Sequence, residues 1–330
     1  MQTKDNNAKS HPDKSCSLSR RKFIGVTGLL LTGAALKMNG ANLSFNESEP
    51  IIDIHQHINY HGRSNEDLLT HQRAMGITTT ILLPAGRPVI SASTNNGESN
   101  GMEAKITGNR VAMKFARKHP KEFLFAANEV PDLPDAVKEI EKYFKRGAVA
   151  IGELKFAVAC DSPEMQKIYQ LAQTYGVPVL MHWQQGRFNY GFERFHTMLE
   201  KYPKVNFIGH AQTWWANIDK YNNQTVLYPK DKVTVGGWTD RWLSDYPNMY
   251  GDLSAGSGLN ALTRDEDHAR LFLTRHQDKL MFGSDCADAD GLTPDLCQGA
   301  QTIAAIKKLS ETKQIERKLL HENAKKLFGI

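Results

Sequence analysis

Eight short apolar segments recur along the chain, at residues 51–54, 77–83, 123–128, 148–156, 177–182, 204–210, 249–253 and 279–285. Each is too short for a stable helix, and most are apolar without a break, as expected of strands buried on both faces. Helix-like segments lie between them. The clearest run over 65–75, 133–145 and 163–175, closed by Gly76, Gly147 and Gly176, with Pro163 opening the last. Further helices are expected over 102–118, 192–201 and 263–276, and helices close the chain to Phe328. Strand–helix alternation demands parallel strands with helices covering them. Eight such units close naturally into a (β/α)8 barrel of the TIM type, a single α/β domain over residues 51–330. An open doubly wound sheet is the alternative. It would place a glycine-rich phosphate turn after the first strand, where this chain has histidines, and no P-loop sequence is present.

Charge narrows the class of partner. The net charge of +5 arises at the N-terminus: residues 1–37 hold seven of the 41 basic side chains and two of the 36 acidic ones, leaving 34 of each elsewhere. A neutral body gives no electrostatic case for nucleic acid or an anionic membrane surface.

The basic start reads as a targeting signal. Ser19-Arg20-Arg21-Lys22-Phe23-Ile24 is a twin-arginine sequence, and the apolar run after it (24–36) contains Gly25, Gly28 and Gly33 and is short for a membrane span. Residues 1–40 are expected to be a twin-arginine signal peptide and leader, and 41–50 a polar linker. The partner implied is the twin-arginine export machinery, and the location periplasmic, or membrane-anchored and facing outward. That route resembles the one used by proteins that fold around a cofactor before export. Cys16 lies in the leader, while Cys160, Cys286 and Cys297 are widely spaced and form no Cys-x-x-Cys motif.

In a barrel of this kind reactive residues stand at the C-terminal ends of strands. Those ends carry His55 and His57 after the first strand, Glu153 on the fourth, His182 on the fifth, His210 on the sixth and Asp285 on the eighth. Two histidines separated by one residue face the same way in a strand and can reach one metal ion. Four of the 12 histidines occupy these ends. His61 reads as a loop residue, and His71, His119, His196, His268, His276 and His321 as surface histidines on helices or turns.

The motifs Asp53-Ile54-His55-Gln56-His57, Leu180-Met181-His182, Ile208-Gly209-His210 and Phe282-Gly283-Ser284-Asp285 resemble the amidohydrolase superfamily, in its amidohydrolase-related (amidohydrolase 2) branch. That branch also contains lactonases and non-oxidative decarboxylases. The resemblance implies a divalent metal, zinc before manganese or iron, as one or two ions. His55, His57 and Asp285 would hold the first. Members bridge two metals through a carboxylated lysine or a glutamate on the fourth strand. Glu153 needs no modification to do so, and Lys155 stands two residues on. His182 and His210 would complete a two-metal site. In decarboxylase-like members one metal takes the two first-strand histidines, the fifth-strand histidine and the aspartate, and the sixth-strand histidine is catalytic. The residues present satisfy both patterns.

The activity implied is hydrolysis of an amide, ester or lactone of a small cyclic substrate by metal-activated water, with Asp285 and His210 as catalytic residues. A metal-dependent decarboxylase is the alternative, and an inactive exported binding protein a third reading. All five tryptophans fall after the fifth and sixth strands. Trp183 and Trp215 are expected to stack on a ring-bearing substrate, with Arg187 and Arg241 for a carboxylate or phosphate; packing of the loops is the alternative for each tryptophan. Barrels of this kind often pair, so a homo-oligomer is also expected, although no interface signature is visible.

Overall fold

A computed structural model describes residues 49–100, 105–291 and 297–330. The twin-arginine sequence, the leader and residues 41–48 of the expected linker lie outside the described residues. Eight strands follow the predicted rhythm: β1 (Ile51–Gln56), β2 (Ile77–Leu82), β3 (Phe123–Phe125), β4 (Ile151–Leu154), β5 (Val179–His182), β6 (Phe207–His210), β7 (Met249–Asp252) and β8 (Leu280–Met281). Helices intervene: α1 (Asn65–Ala74), α2 (Asn109–Lys118), α3 (Ala136–Phe144), α4 (Pro163–Tyr175), α5 (His196–Lys201), α6 (Gln212–Ala216), α7 (Trp238–Asp245), α8 (Ala255–Thr263) and α9 (Glu266–Arg275). After β8 come α10 (Gln298–Leu309), α11 (Lys313–Arg317) and α12 (Asn323–Phe328).

All the ladders are parallel, and consecutive strands are neighbours. Two seams close the sheet on itself. Between β3 and β4, Ala127 N–H donates to the Ala150 carbonyl at 2.9 Å and Gly152 N–H to the Ala127 carbonyl at 3.0 Å. Between β8 and β1, Ile54 N–H donates to the Phe282 carbonyl at 3.2 Å and Asp285 N–H to the His55 carbonyl at 2.8 Å.

Alternate strand residues sort into two cores, as the two-residue period requires. Ile52, Ile54, Ile81, Ala126, Ala150, Leu180, Ile208 and Met281 form an inner cluster inside the barrel, joined by Ala324, with Leu327 and Phe328 of α12 packed against it. Their neighbours Ile51, Leu82, Phe125, Ile151, Met181 and Phe207 join the larger cluster with Leu68, Met113, Ile140, Ile168 and Ile306 of the covering helices. The register of β1 on β2 slips between Asp53 and Gln56, at the point where the histidines begin.

Helix termini follow their sequence signals. Ser64 and Ser162 accept from the backbone N–H of Asp67 and Met165 to cap α1 and α4. Gly176, in the left-handed region, ends α4. Among the described residues no helix is long and apolar enough to cross a membrane.

Candidate metal centre

The strand ends place six side chains together. His182 and His210 pair directly across the β5–β6 ladder. Glu153 reaches the same point because Gly152 lies at φ 141°, and a Cβ there would stand 2.9 Å from the Leu180 carbonyl oxygen. Asp285 sits beyond β8 at φ 41°, an unfavourable backbone for a non-glycine residue, held there by its N–H bond to the His55 carbonyl. His55, His57, Glu153, His182 and His210 are all buried, and Asp285 is 11% exposed.

The histidine tautomers follow from their partners. His57 Nδ1 donates to the Leu83 carbonyl at 2.7 Å, because a carbonyl only accepts. His55 Nδ1 donates to Asp252 Oδ2 at 2.6 Å. In the neutral rings both Nε2 atoms then present lone pairs, and they face each other at 3.1 Å. Two lone pairs so close repel, whereas a cation between them turns the contact into ligation. Glu153 Oε2 lies 3.6 Å from each Nε2, and Asp285 Oδ1 lies 3.7 and 3.4 Å from them. Most of these separations exceed hydrogen-bond lengths. They approach the ~3.0–3.4 Å spacing of ligands around one ion with bonds of ~2.1 Å. Asp285 Oδ1 is buried with no hydrogen-bond partner, which also fits a metal ligand.

A second set faces the other oxygen of Glu153. Its Oε1 accepts from His182 Nδ1 at 2.6 Å and lies 3.7 Å from His210 Nε2. Ser254 Oγ donates to Asp252 Oδ2 at 2.8 Å and therefore accepts from His210 Nδ1 at 2.9 Å. That leaves the His210 Nε2 lone pair towards Glu153, with Asp285 Oδ2 at 3.6 Å.

Electrostatics favour positive charge here. Burial, with Lys155 nearby, pushes His182 down to about 3, and burial with the His55 charge lowers His210, so both are neutral donors. At His55 burial opposes charge, but Asp285 and Asp252 outweigh it and hold its pKa well above the usual range. Burial likewise opposes the charge on Glu153 and Asp285, and the neighbouring histidines overcome it, keeping both carboxylates ionised. A proton or a metal ion can carry the positive charge these carboxylates call for.

Other predicted residues lie differently. Trp183 and Trp215 are 1% and 2% exposed. Trp183 packs edge-on against Phe192 and Phe195, and Trp215 against Trp214 and Phe272, with Trp215 Nε1 donating to the Asp252 carbonyl at 2.9 Å. Both rings are thus packed against protein, as the packing alternative describes. Arg187 is half-buried, and Arg241 is exposed on α7. The Lys155 ammonium sits over the Phe188 ring. His71, His268 and His276 are buried rather than at the surface: helices carry them inward, where His276 bonds Asp240 and His71 bonds Gln72.

Three nearby residues escaped the sequence reading. Asp252 ends β7, and the strand-end rule that found the others reaches it too. Ser254, two residues later, links it to His210. Tyr60 packs edge-on against His57, and burial together with Asp285 and Glu153 pushes its phenol well above the usual range. Its turn after β1 reads as an ordinary loop.

The family model Amidohydro_2, described as Amidohydrolase, matches residues 52–330. The chain belongs to the amidohydrolase 2 family. Its enzymes and this buried His/Glu/Asp cluster go together, and the cluster suits a divalent metal. No curated protein matches the chain. Solved structures share the TIM-barrel fold. An uncharacterized TIM-barrel protein from Bordetella bronchiseptica is 14% identical, with a TM-score of 0.59 over 85% of this chain and 98% of that one. A protein described as a probable 2-pyrone-4,6-dicarboxylic acid hydrolase from Acinetobacter baumannii, with citric acid bound, is 14% identical, with a TM-score of 0.56 over 85% and 99%. A 2,6-dihydroxybenzoate decarboxylase complexed with 2,6-dihydroxybenzoate is 14% identical, with a TM-score of 0.53 over 86% and 100%.

Proposed function

We propose that this family member is a hydrolase in which Glu153 bridges two divalent cations. One observation carries the reading. The two carboxylate oxygens of Glu153 face two different histidine pairs, Oε2 towards His55 and His57 and Oε1 towards His182 and His210.

Divalent cations held here would act as Lewis acids and lower the pKa of water from ~15.7 to about 7. The donor set of imidazole and carboxylate suits zinc, with manganese or iron as alternatives. The chain's own residues do the rest. Asp285 Oδ1 is a buried, ionised carboxylate oxygen free of hydrogen bonds, placed to take a proton from attacking water and return it to the leaving group. His210, oriented by Ser254, faces the reacting centre. Burial keeps bulk water from screening these charges.

The bond cleaved is an amide, ester or lactone of a small cyclic substrate. A polar cavity of about 410 Å³ lies among the loops after β1 and β2, lined by Asn59, Gly86, Glu98, Ser99, Asn100 and Lys105. Two solved relatives hold small carboxylic acids, citric acid and 2,6-dihydroxybenzoate. A carboxylated cyclic ester fits that polarity, with Lys105 as its anchor in the cavity. The purified chain is tested on lactones, esters and amides with ring-opening and CO2 release followed in parallel. Hydrolysis lost on Asp285→Asn supports the reading. CO2 release without hydrolysis overturns it in favour of a decarboxylase.

Export by the twin-arginine route belongs to the same proposal and rests on residues 19–24 alone. Replacing Arg20 and Arg21 with Lys should abolish export, and unchanged export would contradict it.

A further inference from the structure

Away from the catalytic cluster, three soft or borderline donors meet in the core. His71 on α1, Cys286 just after Asp285, and Cys297 at the N-cap of α10 place their ligand atoms within 4.8 Å of one another. His71 Nε2 lies 3.2 Å from Cys297 Sγ, and the two Sγ atoms are 3.4 Å apart. Met75 adds a thioether, its Sδ 3.6 Å from Cys297 Sγ. His71, Cys286 and Cys297 are 0%, 5% and 0% exposed.

A chain of hydrogen bonds fixes the imidazole for ligation. Gln72 Nε2 donates to Asp53 Oδ2 and Thr80 Oγ1, both at 2.8 Å. Its Oε1 must then be the atom 2.8 Å from His71 Nδ1, which carries the proton. The Nε2 lone pair of His71 therefore points at the thiols. A carboxamide that orients one histidine nitrogen while the other faces cysteines is the usual outer support of a metal-ligating histidine.

We propose that His71, Cys286 and Cys297, with the Met75 thioether as fourth donor, form a second, structural metal site for a thiophilic d10 cation, Zn2+ or Cu+. Binding exchanges the thiol protons for the cation. Zn–S bonds of ~2.3 Å and Zn–N bonds of ~2.0–2.1 Å set tetrahedral ligand spacings of about 3.5–3.8 Å, a few tenths of an ångström wider than the spacings present. The site ties α1 to the segment after β8, across the seam where β8 is only two residues long. The same segment is held to β1 and the turn after it by the Cys286 carbonyl, which accepts from Arg63 at 2.8 Å and from Gln56 at 3.1 Å. Thiolate donors distinguish this site from the nitrogen and oxygen donors of the catalytic cluster.

Cobalt(II) titration of the reduced full chain tests it, because thiolate ligation gives a near-ultraviolet charge-transfer band that nitrogen and oxygen donors do not. With cobalt in excess the band should correspond to one thiolate-bound ion per chain, persist in Glu153→Ala and disappear in Cys297→Ser. Displacement by Zn2+ or by Cu+ identifies the preferred cation. Should Cys297→Ser fail to fold, alkylation of the wild type gives the same answer, with Zn2+ or Cu+ protecting Cys286 and Cys297 specifically. No thiolate band, or equal alkylation with and without metal, overturns the proposal. So does a Cys286–Cys297 disulfide in chain isolated without oxidant.

Discussion

Asp252 Oδ2 accepts from His55 Nδ1 at 2.6 Å, and through this bond a residue outside the predicted ligand set decides which nitrogen of His55 faces the His57–Glu153–Asp285 cluster. The same oxygen accepts from Ser254 Oγ, which in turn accepts from His210. One carboxylate thus orients two candidate ligands.

Asp252→Asn should keep the fold and lose metal affinity by about 10- to 100-fold, the usual cost of removing an outer-shell carboxylate. Metal titration by calorimetry and the circular dichroism of the variant check this. Unchanged affinity would remove Asp252 from the account.

The tryptophans should act on stability rather than on substrate. Trp215→Ala and Trp183→Ala each empty a buried aromatic site and should cost about 3–5 kcal/mol in unfolding free energy. Denaturant midpoints read this directly. A raised KM at unchanged stability would restore the stacking role.

Most of the barrel is readable in the amino-acid sequence, because runs such as VPVLMH are buried on both faces and need no alternation. The strands are shorter in the structure than the apolar runs, as in β8, which covers Leu280–Met281 alone. Helices α6 and α7 lie in the long stretch between β6 and β7, and α8 between β7 and the helix expected over 263–276, where the sequence pattern predicts no helix. Strand-end logic locates the six metal-type residues. It could not reveal the His71–Cys286–Cys297 cluster, whose members lie on separate elements and meet only through folding. Nor could it tell a buried histidine such as His276 from an exposed one, since the partner that holds it, Asp240, is 36 positions away.

Asp240 supplies an acid-sensitive element. Burial opposes its charge, but hydrogen bonds from His276 and Arg275 outweigh it and hold its pKa at about 2 rather than 3.8. A depressed carboxylate stabilises the fold fully above pH ~4 and loses that contribution as pH falls through about 2. With Arg275 partly exposed and screened, the contribution is roughly 1–2 kcal/mol. Asp240→Asn should therefore be less stable than wild type at pH 6, with the difference shrinking towards pH 2. A constant difference across that range would contradict the assignment.

The central claim is that Glu153 joins two metal positions, and counting a hard cation tests it most directly. Manganese suits the nitrogen and carboxylate donors and is a poor match for thiols, so the cysteine cluster does not enter the count. Chain stripped of metal and equilibrated with Mn2+ should hold two ions per chain, falling to one or none in Glu153→Ala. One ion in the wild type, unchanged in the variant, would contradict the bridge and leave a single-metal centre with His210 as its catalyst.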